Sequence, residues 1–260
     1  MRRFVGIATI GVVLVAVLIA TFARSNVNPA IGLCLQLLDG EQFEPAIELT
    51  NTAMALQIAS RTGNLVELCS LLAGGADAKS GGNAGASPLH AAALEDQVDV
   101  ARVLLAAGAS AEAADHEGYT PVHAAVFAAS WRSSSGDVAS DVRTEEAEAA
   151  HADNLTMARV LLRSGGAEAA NAVNSQGLSA LHVAASLGHT GFINALVLAG
   201  AAMDLRDHGG LTALHIVAMS DRVDAARALI NGGADVDAKD DDGASPLHSA
   251  TVCDSIGVRP

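Results

Sequence analysis

Five histidines stand at one position of a recurring hexapeptide: Ser87-Pro88-Leu89-His90-Ala91-Ala92, Thr120-Pro121-Val122-His123-Ala124-Ala125, Ser179-Ala180-Leu181-His182-Val183-Ala184, Thr212-Ala213-Leu214-His215-Ile216-Val217 and Ser245-Pro246-Leu247-His248-Ser249-Ala250. The chemistry such a ladder suggests is metal binding. Geometry excludes it, because elements that repeat side by side lie about 8–10 Å apart if helical, whereas two ligands of one zinc must each approach to about 2.0–2.1 Å. Other chemical signatures are missing from the sequence: no H-E-x-x-H, no glycine-rich loop followed by lysine and no G-x-S-x-G turn. Asp235-Val236-Asp237 and Asp240-Asp241-Asp242 lack the oxygen spacing and closing glutamate of a calcium loop. Cys34, Cys69 and Cys253 are too few and scattered for a disulfide framework or a four-ligand zinc site. Cys34 and Cys69 fall at nearly equivalent positions of neighbouring helices, where two small buried thiols are expected, with a disulfide in an oxidising compartment as the alternative. The sequence therefore points away from an enzyme and implies no cofactor and no metal.

The elements that carry these histidines follow from their spacing. His90 to His123, His182 to His215 and His215 to His248 are each 33 residues, and His123 to His182 is 59. A second ladder, Leu72, Leu105, Leu162, Val197 and Ile230, runs in parallel and divides the excess: 24 residues before Leu162 and two after it. Upstream, Gln57 lies 33 before His90 in Met54-Ala55-Leu56-Gln57-Ile58-Ala59, a degenerate copy. The leading Ser or Thr suits a helix N-cap, and Pro after it costs little because that N–H has no helical partner. The Leu then faces a core, and the Ala pair lets the next helix approach closely. A second amphipathic helix ends near Gly75, Gly108, Gly165, Gly200 and Gly233, each suited to a left-handed cap. Segments such as Asp115-His116-Glu117-Gly118 carry turn chemistry between copies.

This pattern resembles the ankyrin repeat, a 33-residue unit of paired helices and a β-turn finger. The resemblance covers residues 52–260, as five repeats and a partial sixth, and implies an all-α repeat solenoid. It also implies that each histidine bonds backbone of its own and the adjacent finger. What it implies for function is non-catalytic protein binding on the concave face made by fingers and first helices. Positions that the template leaves free are His116, Glu117, Tyr119, His208, Asp241 and Asp242 on fingers, and Leu94, Glu95, Phe127, Leu187 and Met219 on first helices, with Trp131 in addition.

The rest of the chain departs from the template. An insertion at about 130–153 is expected to project as a loop, flexible from Trp131 to Gly136, with residues 142–150 extending the second helix of the third repeat backwards. Residues 28–38 read as a helix covering the first repeat, within a linker and cap at 25–51. At residues 1–24, two arginines precede an uncharged run of 19 residues, 4–22, about 28 Å as a helix and close to a bilayer core. This reads as a signal-anchor, with cleavage near Ala23 as the alternative. The arginines keep the amino end cytoplasmic, so the repeats are expected on the non-cytoplasmic side, either membrane-held or, after cleavage, secreted or periplasmic. All 29 acidic residues but only 12 of the 15 basic ones follow residue 24, a net charge of −17. That field repels nucleic acid and favours a basic protein partner. A membrane-tethered monomeric scaffold is the expected function; an inhibitor or immunity-type protein holding one enzyme is the alternative.

Overall fold

The computed structural model describes residues 29–38, 52–134, 145–220 and 222–256. Twelve α-helices occupy these residues: α1 Pro29–Leu37, α2 Thr52–Thr62, α3 Leu65–Ala73, α4 Pro88–Leu94, α5 Val98–Ala106, α6 Pro121–Ser134, α7 Glu145–Asn171, α8 Ala180–Leu187, α9 Thr190–Leu198, α10 Ala213–Met219, α11 Val223–Asn231 and α12 Pro246–Ile256. They stack in two rows. The inner row is α2, α4, α6, α8, α10 and α12, each packed on the next, and the outer row is α3, α5, α7, α9 and α11. Among the described residues the only β-pairing is one isolated bridge, Val173 to Ser179.

One slot shows why the rows cohere. Leu56, Leu89, Val122, Leu181 and Leu214 share the position before the motif histidine, and none is more than 4% exposed. Ala59, Ala92, Ala125 and Ala184, three residues on, are also buried; their small side chains let adjacent helices close up. At the far end Leu247 fills the same slot and is 73% exposed, because no helix beyond α12 covers it among the described residues.

Three sequence expectations change here. α6 continues through Ser134, so Trp131 to Ser134 extend the first helix of the third repeat instead of forming a flexible loop. Residues 135–144, the centre of the insertion, lie outside the described part, as do the side chains of 131–134; α7 does begin early, at Glu145. Second, the positive φ in this repeat falls at Gly166, not Gly165. Gly165 is a close-packing position, where a Cβ would sit 2.5 Å from the Ala169 Cβ. The backbone of α7 breaks at Gly166, and a second short helical segment then runs to Asn171 and takes up the two extra residues after Leu162. Third, α1 packs on both α3 and α5, and Cys34 and Cys69 are joined in a disulfide with Cα atoms 6.0 Å apart, not left as thiols. Leu33, Leu37 and Leu38 pack against the same core.

Among the described residues no helix is long and apolar enough to cross a membrane. Residues 1–28, which contain the expected signal-anchor, lie outside the described part, as do 39–51 and 257–260.

Candidate functional site: the concave groove of the first three repeats

The motif histidines build the scaffold of the concave face. The Ser87 N–H donates to His90 Nδ1 at 3.0 Å, which fixes Nδ1 as an acceptor and leaves the proton on Nε2. Nε2 then donates to the Tyr119 carbonyl of the next finger at 2.9 Å. His123 does the same to the Leu178 carbonyl at 3.1 Å, His182 to Leu211 at 3.1 Å and His215 to Ala244 at 3.2 Å. In the degenerate first copy Gln57 Nε2 donates to the Ala86 carbonyl at 2.6 Å, so the amide replaces the imidazole. Burial lowers the His90 and His182 pKa and takes His123 from 6.5 to about 4; the finger carbonyls and nearby carboxylates oppose this without overcoming it. The rings of His90, His123 and His182 are therefore neutral structural ties. Among the described residues no group of three or more His, Cys, Asp or Glu is placed to hold a metal ion.

Fingers are tied to one another as well. The N–H of His116 donates to the Ala84 carbonyl, that of Ser175 to Glu117 and that of His208 to Gln176. Within each finger a side-chain oxygen closes the turn: Asp115 Oδ1 accepts from the N–H of Glu117 and Tyr119, both at 2.9 Å. Asn174 does this in the next finger, Asp207 and Asp240 in those after. Finger spacing is tight enough that a Cβ on Gly118, at φ +83°, would lie 2.8 Å from the Asn174 Cα.

On this frame a hollow of about 770 Å3 opens across α2, α4, α6 and the fingers between them. Its cause is a change of side-chain size. The position after the motif histidine is Ile58 in the first copy, Val183 in the fourth and Ile216 in the fifth, but Ala91 and Ala124 in the second and third. Gly81, Gly82 and Ala86 keep the finger side of the hollow equally small. Around this floor stand Met54, Ile58, Leu94 and Phe127, exposed by 57, 50, 47 and 39%. Tyr119 closes one side with its ring edge-on to Phe127 at 5.6 Å and to His123 at 5.7 Å. The charged lining is Arg61 and Glu95, paired across helices at 3.3 Å, and Asp115. Asp115 has no Lys or Arg partner among the described residues, and its neighbour His90 is neutral. The hollow therefore combines an apolar rim with one uncompensated negative charge.

Of the positions expected from sequence, Leu94, Glu95, Tyr119 and Phe127 line this hollow. His116 and Glu117 are exposed on the adjoining finger. His208, Asp241 and Asp242 are exposed on later fingers, away from the hollow, and Asp241 is paired with Arg206 at 2.8 Å. Met219 is half-buried on α10. Leu187 is half-buried on α8 and packs against the core, and the position equivalent to Leu94 and Phe127 is Ser186. The Trp131 side chain lies outside the described part. Sequence reasoning missed Met54, Ile58 and Arg61 because the first copy lacks the histidine; the change from Ile58 to Ala91 at an aligned position was the available signal.

A stack of paired helices with bonded fingers and an open concave groove is the architecture of a repeat protein that binds other proteins. A family model for ankyrin repeats matches three times, at residues 26–115, 56–132 and 191–258. The chain belongs to the ankyrin-repeat family, whose members generally bind protein partners. No curated protein matches the chain as a relative.

Proposed function

We propose that this chain is a non-catalytic, membrane-tethered binding module that presents its concave face to a basic protein partner on the non-cytoplasmic side. The observation that carries the binding reading is the apolar rim of Met54, Ile58, Leu94 and Phe127 above an alanine floor, since clustered large apolar side chains exposed around a concavity mark interaction sites. Basicity of the partner is supported by the acidic surface, −14 overall, which steers cationic partners and raises their on-rate at low salt. Tethering rests on residues 4–22 and their flanking arginines. The side of the membrane draws independent support from the Cys34–Cys69 disulfide, because such bonds persist in oxidising compartments and are rare in reducing ones.

The test is photocrosslinking in native membranes. A benzoylphenylalanine at Ile58 or Phe127 is expected to capture a protein partner, with a yield that falls as salt rises, whereas one at Leu198 on the convex side is not. Capture from Leu198 alone would contradict the reading. Alkaline washing of the same membranes is expected to leave the chain in the pellet; release would contradict tethering.

A further inference from the structure

The concave surface is not uniform along the stack. At 770 Å3 the hollow lies within the range of about 300–1,000 Å3 that encloses a ligand of many atoms, so it has room for several side chains. It ends where Val183 and Ser186 replace Ala124 and Phe127. The fourth repeat thus offers neither the depression nor the apolar rim. Beside the floor, the Tyr119 backbone is held twice, by its N–H on Asp115 and by its carbonyl on His90, while its ring packs edge-on to His123 and Phe127, so the ring and the Asp115 carboxylate line the same side of the hollow. A cation placed there would meet both a carboxylate and an aromatic ring, while Arg61 is already engaged by Glu95. An anion would find no free donor of positive charge among the lining residues.

We propose that this hollow seats the apolar face of a short segment of the partner protein, with a lysine or arginine next to that face reaching Asp115. This rests on the reading of the chain as a protein-binding module and specifies the chemistry of what it binds. Recognition divides into two separable parts: apolar burial over Ala91 and Ala124, and one charge contact at Asp115.

The repeats supply benign variants for each part. Asp115→Asn keeps the oxygen that closes the finger and removes the charge, and Asn174 occupies the equivalent position in the next finger. Ala124→Val fills the floor with the residue that position carries as Val183. The probe is a synthetic helical peptide with leucines at i, i+4 and i+7 and lysines flanking them, with companions in which the lysines are glutamates or the leucines serines. Binding is measured by surface plasmon resonance to the full chain in zwitterionic nanodiscs, with empty discs subtracted. The leucine–lysine peptide is expected to bind best. Asp115→Asn should weaken it about three- to fivefold and leave the glutamate peptide unweakened or bound more tightly, since a like-charge repulsion is removed; Ala124→Val should weaken both by about tenfold. Failure of all three peptides to bind the unaltered chain, or equal binding by both variants, would overturn the proposal. So would crosslinks from Phe127 to a second copy of this chain or within the chain itself. A partner that crosslinks from Phe127 equally well in both variants would retain the binding module and remove this occupant.

Discussion

Acid should weaken the stack through its buried histidines, and His123 provides the magnitude. In the fold its Nδ1 accepts from the N–H of Thr120 at 3.2 Å and its Nε2 donates to the Leu178 carbonyl at 3.1 Å. Burial of the ring penalises the imidazolium and takes the pKa from 6.5 to about 4 against the opposing Leu178 carbonyl and Asp115 carboxylate; the second proton would also have to go on Nδ1, which faces the Thr120 N–H. The sign follows from linkage. Between those two values the unfolded chain binds a proton that the folded chain does not, so stability is complete above about pH 6.5 and is lost as pH falls toward 4. From about pH 7.5 to about pH 4.5 this one residue removes roughly 2.5 kcal/mol, a large share of the ~5–15 kcal/mol typical of a domain. His90 and His182 are lowered in the same direction and add to the loss. The control is His123→Gln, for which Gln57 is the natural precedent: its amide makes the same finger bond without titrating. Urea denaturation followed by circular dichroism across that pH range gives the two stability curves; carboxylate titration is common to both and cancels in the difference. The variant is expected to be less stable near neutrality by about 1 kcal/mol for its lost acceptor, and to lose roughly 2.5 kcal/mol less on acidification. Parallel curves would refute the reasoning.

Other outcomes follow from single contacts. Cys34→Ser with Cys69→Ser should lower stability by about 3–4 kcal/mol, the cost of reopening a loop whose ends are 35 residues apart, and a thermal melt with and without reductant should show the same loss in the unaltered chain only. Leu89→Ala and Leu247→Ala alter one repeat slot at opposite burial; the first should cost about 2–5 kcal/mol and the second within about 0.5 kcal/mol, as read by denaturation midpoints. Gly118→Ala places a Cβ against the Asn174 backbone at positive φ and should cost more than about 1 kcal/mol, with faster hydrogen exchange in the finger from Asn174 to Leu178.

Much of the architecture is legible because each repeat must solve the same packing problem, so its solution recurs in the sequence. The helix starts and the paired helices follow from the 33-residue period and the Ser/Thr-Pro-Leu-His pattern, and the histidine ties are what the resemblance to the ankyrin repeat implies. What the period does not encode is where the copies differ. The disulfide depends on α1 lying across α3 and α5, a long-range placement that two cysteines 35 apart leave open. Gly165 and Gly166 are adjacent, and only the crowding of Ala169 separates a packing glycine from a turning one. Helix α6 runs through Trp131 because nothing in Ala128-Ala129-Ser130 stops it. The hollow is likewise an effect of difference: it arises from two alanines set among larger residues, which motif matching reads as equivalent.

Hydroxyl-radical footprinting of the full chain, free and crosslinked to its partner, tests the central claim most directly. Met54, Leu94, Tyr119 and Phe127 should lose reactivity on partner binding, while Leu198 and Leu247, exposed by 89 and 73% outside the hollow, should keep theirs. Protection of Leu198 or Leu247 with Met54 and Phe127 still reactive would contradict the account.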